Sequence, residues 1–282
     1  MKKLKIILTI FVLIFAIVGF LFTSVFIAMQ FGWLNVRGSI ESRNNSIMPT
    51  DTLIGSDPSD TSCLDTATTC RWFDTREWEV VAGGLVKDKL LIERVATETG
   101  VSSRLISAVV VPEQIRFFTS NREVFKRYFE PLKILGSLSA FSLGVSGIKQ
   151  DTAKKIEEHA LNPNSEFYPG DSYAELLKYE SGINQDEELF NRLTNEKDHY
   201  FSYLYTAVFI KEILEQWKKA GYDISNQPQI VSTIFNIGFS KSKPNSNPQV
   251  GGTKITVGGI DYTFGELSGL FYQSEKIPEI NR

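Results

Sequence analysis

Glu93-Arg-Val-Ala-Thr-Glu-Thr-Gly-Val-Ser-Ser-Arg-Leu-Ile-Ser-Ala-Val-Val-Val-Pro-Glu-Gln114 decides how the rest of the chain is read. With the residues before it, LVKDKLLIERVATETG places apolar side chains at helical spacing and stops at Gly100, a residue suited to the left-handed end of a helix. Ser102 or Ser103 then caps a second helix, SRLISAVVVPEQIRFF. On its wheel Ile106, Val109 or Val110, Glu113 and Phe117 fall on one stripe, being three or four residues apart. That puts a carboxyl on an apolar face. Desolvation there is expected to raise its proton affinity, and a carboxylic acid kept protonated can donate to a leaving oxygen. Pro112 is expected to disturb the helix and to open its backbone beside a cleft. The plainer alternative is a helix-rim Glu113 paired with a neighbouring arginine.

Helical patterns continue on both sides of this pair. NREVFKRYFEPL, DTAKKIEEHA, the long YFSYLYTAVFIKEILEQWKKAG and QIVSTIFNIG follow, separated by loops rich in Asn, Gly and Pro. KITV and IDYTF flank Gly258-Gly259, the pattern of a two-residue hairpin, and ELSGLFYQSEKI reads as a last short helix. The expectation is a mainly α domain with a small C-terminal β-hairpin over residues 78–282, without internal repeats.

The amino-terminal part has a different solvent. Ile6–Met29 carries no charge, and as a helix it would be about 36 Å long against a hydrocarbon core of about 30 Å. It is too long for a signal-peptide core and lacks a small-residue cleavage pattern, so an uncleaved transmembrane anchor is expected within residues 1–36. Lys2, Lys3 and Lys5 precede it, which by the positive-inside rule keeps the N-terminus cytoplasmic and the remainder extracytoplasmic. Residues 37–77 are rich in Ser, Thr, Asp and Asn and read as a flexible linker. It holds both cysteines, Cys63 and Cys70, which outside the cytoplasm could close a small disulfide loop or remain free thiols.

Composition narrows the function classes. The 282 residues contain 30 basic and 33 acidic side chains, a net charge of −3, which gives no basic footprint for nucleic acid. From Ile6 onward there are 27 basic against 33 acidic, so the ectodomain stands at −6. The mean hydropathy of −0.10 averages an apolar anchor with a polar remainder. With only His159 and His199, and no Cys/His/Asp cluster at ligand spacing, neither a metal nor a cofactor is expected. No G-x-S-x-G supports a serine hydrolase.

Three blocks, in order, resemble the lytic transglycosylases and the related goose-type lysozymes, over about residues 88 to 240. The first is ERVATETGVSSRLISAVVVPEQ, which in that family leads to the catalytic Glu, here Glu113. The second, SLGVSGIKQDTA, resembles G-x-x-Q-I-x-P-x-T-A through Gly144, Ile148, Thr152 and Ala153. The third, FIKEILEQWKKAGYDISNQPQIVSTIFNIG, resembles a Y-L-x-x-L helix followed by A-Y-N-x-G through Phe235, Asn236 and Gly238. The departures are Gln114 where the family has Ser, Gly147 where it has a substrate-contacting Gln, Gln150 for Pro, and Phe235 for Tyr. The stretch between Glu113 and Gly144 is also longer than in the family.

The resemblance implies a lysozyme-like α domain that cleaves the β-1,4 bond between N-acetylmuramic acid and N-acetylglucosamine in peptidoglycan. Glu113 would act as the acid and base, with Gln114, Ser146, Gly147, Ile148, Phe235 and Asn236 lining the glycan cleft. The partners so implied are glycan strands and, through the anchor, the membrane. A hydrolytic muramidase would more often need a second carboxylate. Asp151 and Glu157 are the nearest in sequence, although they read more simply as a helix N-cap and a solvated helix face. The rival from another class is an anchored glycan-binding or scaffolding protein that keeps the fold without turnover. A host-interaction or secretion-apparatus component is a third reading, resting on the anchor alone.

Overall fold

The computed structural model describes residues 71–119, 142–195 and 197–280, together with nine positions between Thr9 and Ser24, all helical. The chain divides into two compact units, 1–48 and 49–282. Among the described residues no helix is long and apolar enough to cross a membrane. Most of Ile6–Met29, residues 37–70 of the linker with both cysteines, and the NREVFKRYFEPL segment lie outside the described residues.

The second unit is mainly α. After a short 3-10 turn at Arg71–Asp74 come α1 (Arg76–Lys87), α2 (Lys89–Thr99) and α3 (Ser103–Thr119). A minimal hairpin of β1 (Ser142–Leu143) and β2 (Ile148–Lys149) leads into α4 (Gln150–Leu161), α5 (Asp171–Leu177), α6 (Gln185–Thr194) and α7 (Tyr200–Lys219). Then follow α8 (Pro228–Ile237), β3 (Lys254–Val257), β4 (Ile260–Thr263) and α9 (Phe264–Gln273). Both two-stranded sheets are antiparallel.

Two of the sequence signals act through backbone conformation. Gly100 closes α2 at φ 68°, ψ 12°. Gly258 and Gly259, at φ 59° and 78°, turn β3 back on β4, pairing Val257 with Ile260. α9 starts on a capping box, in which the Thr263 hydroxyl accepts from the Glu266 N–H and the Glu266 carboxylate accepts from the Thr263 N–H.

α3 is the centre of the domain. It packs against α1, α2, α7, α8, α9 and β3, and from Arg104 to Glu113 its residues are buried on every side. The single apolar stripe expected from the sequence is therefore too narrow. A helix apolar all round is an interior helix, and Leu105–Val111 carries no charge at all. Pro112 does not break α3, which continues to Thr119; the missing donor leaves only the Ala108 carbonyl without its usual helical partner. Other corrections concern boundaries. The helix read continuously through Asp88 is divided there into α1 and α2, and Trp72 and Phe73, placed in the linker by composition, pack with Trp78 in the core.

Candidate functional site

The site is built where the C-terminal part of α3 meets the turn between β1 and β2. Glu113 is 3% exposed although it carries a carboxyl. A buried charge needs a partner, and the Arg116 guanidinium, one turn along the same helix, donates to Glu113 Oε1. Both sequence-level alternatives are thus partly met: the group is in the interior, and it is ion-paired with an arginine.

The turn Gly144-Val145-Ser146-Gly147 is closed by Gly147 N–H on the Gly144 carbonyl at 3.4 Å and presses on Glu113 from the other side. At Gly147, φ is +62°, and a Cβ would lie 1.9 Å from Glu113 Oε1 and 2.6 Å from its Cδ. The backbone conformation favours glycine, and any side chain there would have to displace the Glu113 carboxyl. No side chain can stand at 147 in this arrangement, so what Gly147 contributes is close backbone approach to the acid. Gly144 is equally constrained: φ is +65°, and a Cβ would meet Leu193 O and Ser202 Oγ at 2.4 Å each. Gln114 donates its amide to the Val145 carbonyl, tying α3 to the turn. Val145 N–H donates to Ser202 Oγ at 3.1 Å, and Ser146 Oγ donates to the Ser202 carbonyl at 3.2 Å, tying the turn to α7.

The structure thus brings Glu113, Gln114, Ser146 and Gly147 together. Ile148 is 3% exposed and belongs to the core. Phe235 is also a core residue, its ring 4.8 Å from that of Phe209 at a 38° tilt. Asn236 Oδ1 accepts from Thr253 N–H at 2.8 Å and from its hydroxyl at 3.0 Å, which fastens the segment before β3 to the end of α8. For Phe235 and Asn236 the core and helix-end roles are the ones the structure displays.

The two second-carboxylate candidates stand elsewhere. Asp151 is exposed in the first turn of α4, one residue inside it; the N-cap is Lys149. Glu157 is no solvated helix face. Its Oε1 accepts from the Tyr179 hydroxyl at 2.5 Å and from that of Tyr205, and burial raises its pKa despite those bonds. These phenols come from the segment just after α5 and from α7.

Three further buried polar groups escaped the sequence reading. Glu212, fully buried on α7, has its pKa pushed up to about 10 by burial, and His159 Nδ1 lies 3.1 Å from its Oε2. Asp88, between α1 and α2, meets His199 Nδ1 at 2.6 Å and accepts from the Tyr203 hydroxyl at 2.9 Å. Arg104 donates to the carbonyls of Phe271, Ser274 and Lys276 at 2.5 to 2.6 Å, capping the end of α9. Nothing local in the sequence marks these pairs, since the partners are 53 to 172 residues apart.

A surface depression lined by Glu93, Ala96, Thr97 and Gly100–Ser103 lies where α2 ends. Ser103 stands about 15 Å along α3 from Glu113, so this depression is separate from the acid. Among the described residues no group of His, Cys, Asp and Glu is arranged to hold a metal ion. No protein-family model, curated protein or solved structure matches the chain.

Proposed function

We propose that the chain is a membrane-anchored, peptidoglycan-cleaving enzyme with a lysozyme-like α domain, a lytic transglycosylase in which Glu113 is the single acid and base. The observation that carries this reading is the placement of Glu113: a carboxyl on the central helix, enclosed by an arginine and by a glycine backbone that leaves no room for a side chain. Such enclosure in a low-dielectric site gives a proton-transfer group its leverage. The order of the three sequence blocks supports the same assignment.

In the first step Glu113 protonates the glycosidic oxygen as the bond from that oxygen to C1 of the muramic acid breaks. In the second it accepts the proton of the muramic acid 6-hydroxyl, whose oxygen closes on C1 to give the 1,6-anhydro product. No water is consumed. The resting ion pair with Arg116 suits the base of the second step, and the acid step requires Arg116 to withdraw from the carboxyl. The anchor would hold the domain on the extracytoplasmic face, and the linker would confine its search to a shell near the membrane.

The test is muropeptide release from purified sacculi by wild type and Glu113→Gln. The variant is expected to stay folded and release nothing, and release at the wild-type rate would overturn the assignment. Products carrying the anhydro mass support the transglycosylase, whereas reducing-end products without it identify a muramidase. The non-enzymatic reading, a glycan-binding protein, differs in that the Arg116 pair stays closed and Glu113, 3% exposed, never reaches a substrate. Binding of sacculi with no product at any pH would select that reading.

A further inference from the structure

A carboxyl that gives and then takes a proton must be held in one place, and from outside α3 the Gly144–Gly147 turn lies against Glu113. What holds the turn is α7. Ser202, 2% exposed in the first turn of α7, accepts the Val145 N–H on its hydroxyl and the Ser146 hydroxyl on its carbonyl. The carbonyl of the same Val145 accepts from Gln114, the residue next to Glu113. One residue of the turn is therefore bonded through its N–H to α7 and through its carbonyl to α3. The Ser202 hydroxyl also occupies the space a side chain at 144 would need, as Leu193 O does beside it. The turn has no slack toward α7, and its far end, Gly147, lies against the acid.

We propose that Ser202 is a positioning residue for Glu113, acting through the Gly144–Gly147 turn and touching neither the acid nor the substrate. The proposal rests on the reading of Glu113 as the reacting group. Removing the hydroxyl leaves the Val145 N–H without its acceptor and opens a gap behind the turn, so the turn relaxes toward α7 and its pressure on Glu113 slackens. A displacement of about 1 Å at a reacting group costs on the order of 100-fold in rate.

The experiment compares Ser202→Ala with Thr206→Val, both in the full chain. Thr206 lies one turn further along α7, is also fully buried, and donates its hydroxyl to the Ser202 carbonyl at 2.7 Å. It is the control for loss of a buried hydroxyl bond on the same helix without contact to the turn. The expected result is a kcat for Ser202→Ala reduced about 10-fold or more at unchanged KM, with Thr206→Val keeping the wild-type kcat at a similar loss of melting temperature. Wild-type kcat in Ser202→Ala, or an equal fall in both variants, would overturn the proposal. Glu113→Gln run alongside separates the two failures, because turnover surviving in that variant defeats the assignment of Glu113 itself. If the wild type shows no turnover, crystal structures of wild type and Ser202→Ala decide: a shifted turn and Glu113 carboxyl support the positioning role, and an unmoved pair overturns it.

Discussion

Replacing Gly147 by alanine separates backbone strain from displacement of the acid. A non-glycine residue at φ +62° costs about 1 to 2 kcal/mol, which in a domain of about 200 residues lowers Tm by roughly 2 to 8 °C. The new Cβ would also stand 1.9 Å from Glu113 Oε1, about 1 Å inside the closest contact carbon and oxygen tolerate. The backbone of the turn is bonded to both α3 and α7, so the carboxyl is the part that yields. Its shift of about 1 Å disturbs the pair with Arg116 and lowers the rate on the order of 100-fold. Gly100→Ala supplies the comparison. It carries the same strain, φ +68°, but a Cβ there meets nothing within 4 Å, and it sits at the far end of the helix pair. Muropeptide release and thermal melting on both variants should therefore give similar losses of Tm and very different rates. Equal rates in the two variants, with equal loss of Tm, would refute the idea that the turn sets the position of Glu113.

Glu212→Gln is expected to raise stability at pH 7 by a few kcal/mol and to flatten its fall between pH 5 and 9, read by denaturant unfolding across pH. The buried acid holds its proton up to about pH 10 whereas the unfolded chain releases it near 4.5, so the native state loses stability as pH rises between them. His199→Ala should cost about 1 to 2 kcal/mol, most of it between pH 4 and 6.5. The hydrogen bond to Asp88 raises the His199 pKa, so its contribution is complete below 6.5 and fades as pH climbs past the raised value. Burial works against the Asp88 carboxylate, but the bonds from His199 and Tyr203 prevail and lower its pKa, so its share is lost only under more acid conditions. Arg104→Met should lower stability by about 3 kcal/mol or more, because carbonyls at the end of α9 lose a charged donor, and guanidinium denaturation measures it.

What the sequence makes legible is what short-range chemistry determines. The end of α2 follows from Gly100, the β3–β4 hairpin from Gly258-Gly259, and the long α7 from an apolar run that continues to Ile210 and helical spacing beyond it. The β1–β2 hairpin was not legible as a hairpin, because two residues per strand give no alternation to read. Of its two glycines, Gly144 matches the family block and Gly147 departs from it, and their structural reason is the proximity of Ser202 to the one and of Glu113 to the other. α5 and α6 went unread because one is a single short stretch and the other is largely polar. The break at Asp88 was hidden by an apolar period that runs on across it. Glu157 was misjudged because its phenolic partners lie 22 and 48 residues away.

The buried acids Asp88, Glu113 and Glu212 and the half-buried Glu157 can be compared by what their partners accomplish. Asp88 ties the α1–α2 junction to α7 through His199 and Tyr203; Glu157 ties α4 to α7 and to the segment just after α5; Glu212 ties α7 to α4. Each joins elements distant in sequence, which is sufficient reason for a polar group in the interior. Glu113 differs. Its ion pair with Arg116 spans one turn of a single helix. Desolvating a carboxylate and a guanidinium for such a local pair is no better for stability than two apolar side chains of similar volume, and often worse. An apolar residue of similar volume at 113 would therefore serve that turn of α3 at least as well as the ion pair does. The local pair with Arg116 does not by itself account for a carboxyl at this position, which fits the proposed proton-transfer role.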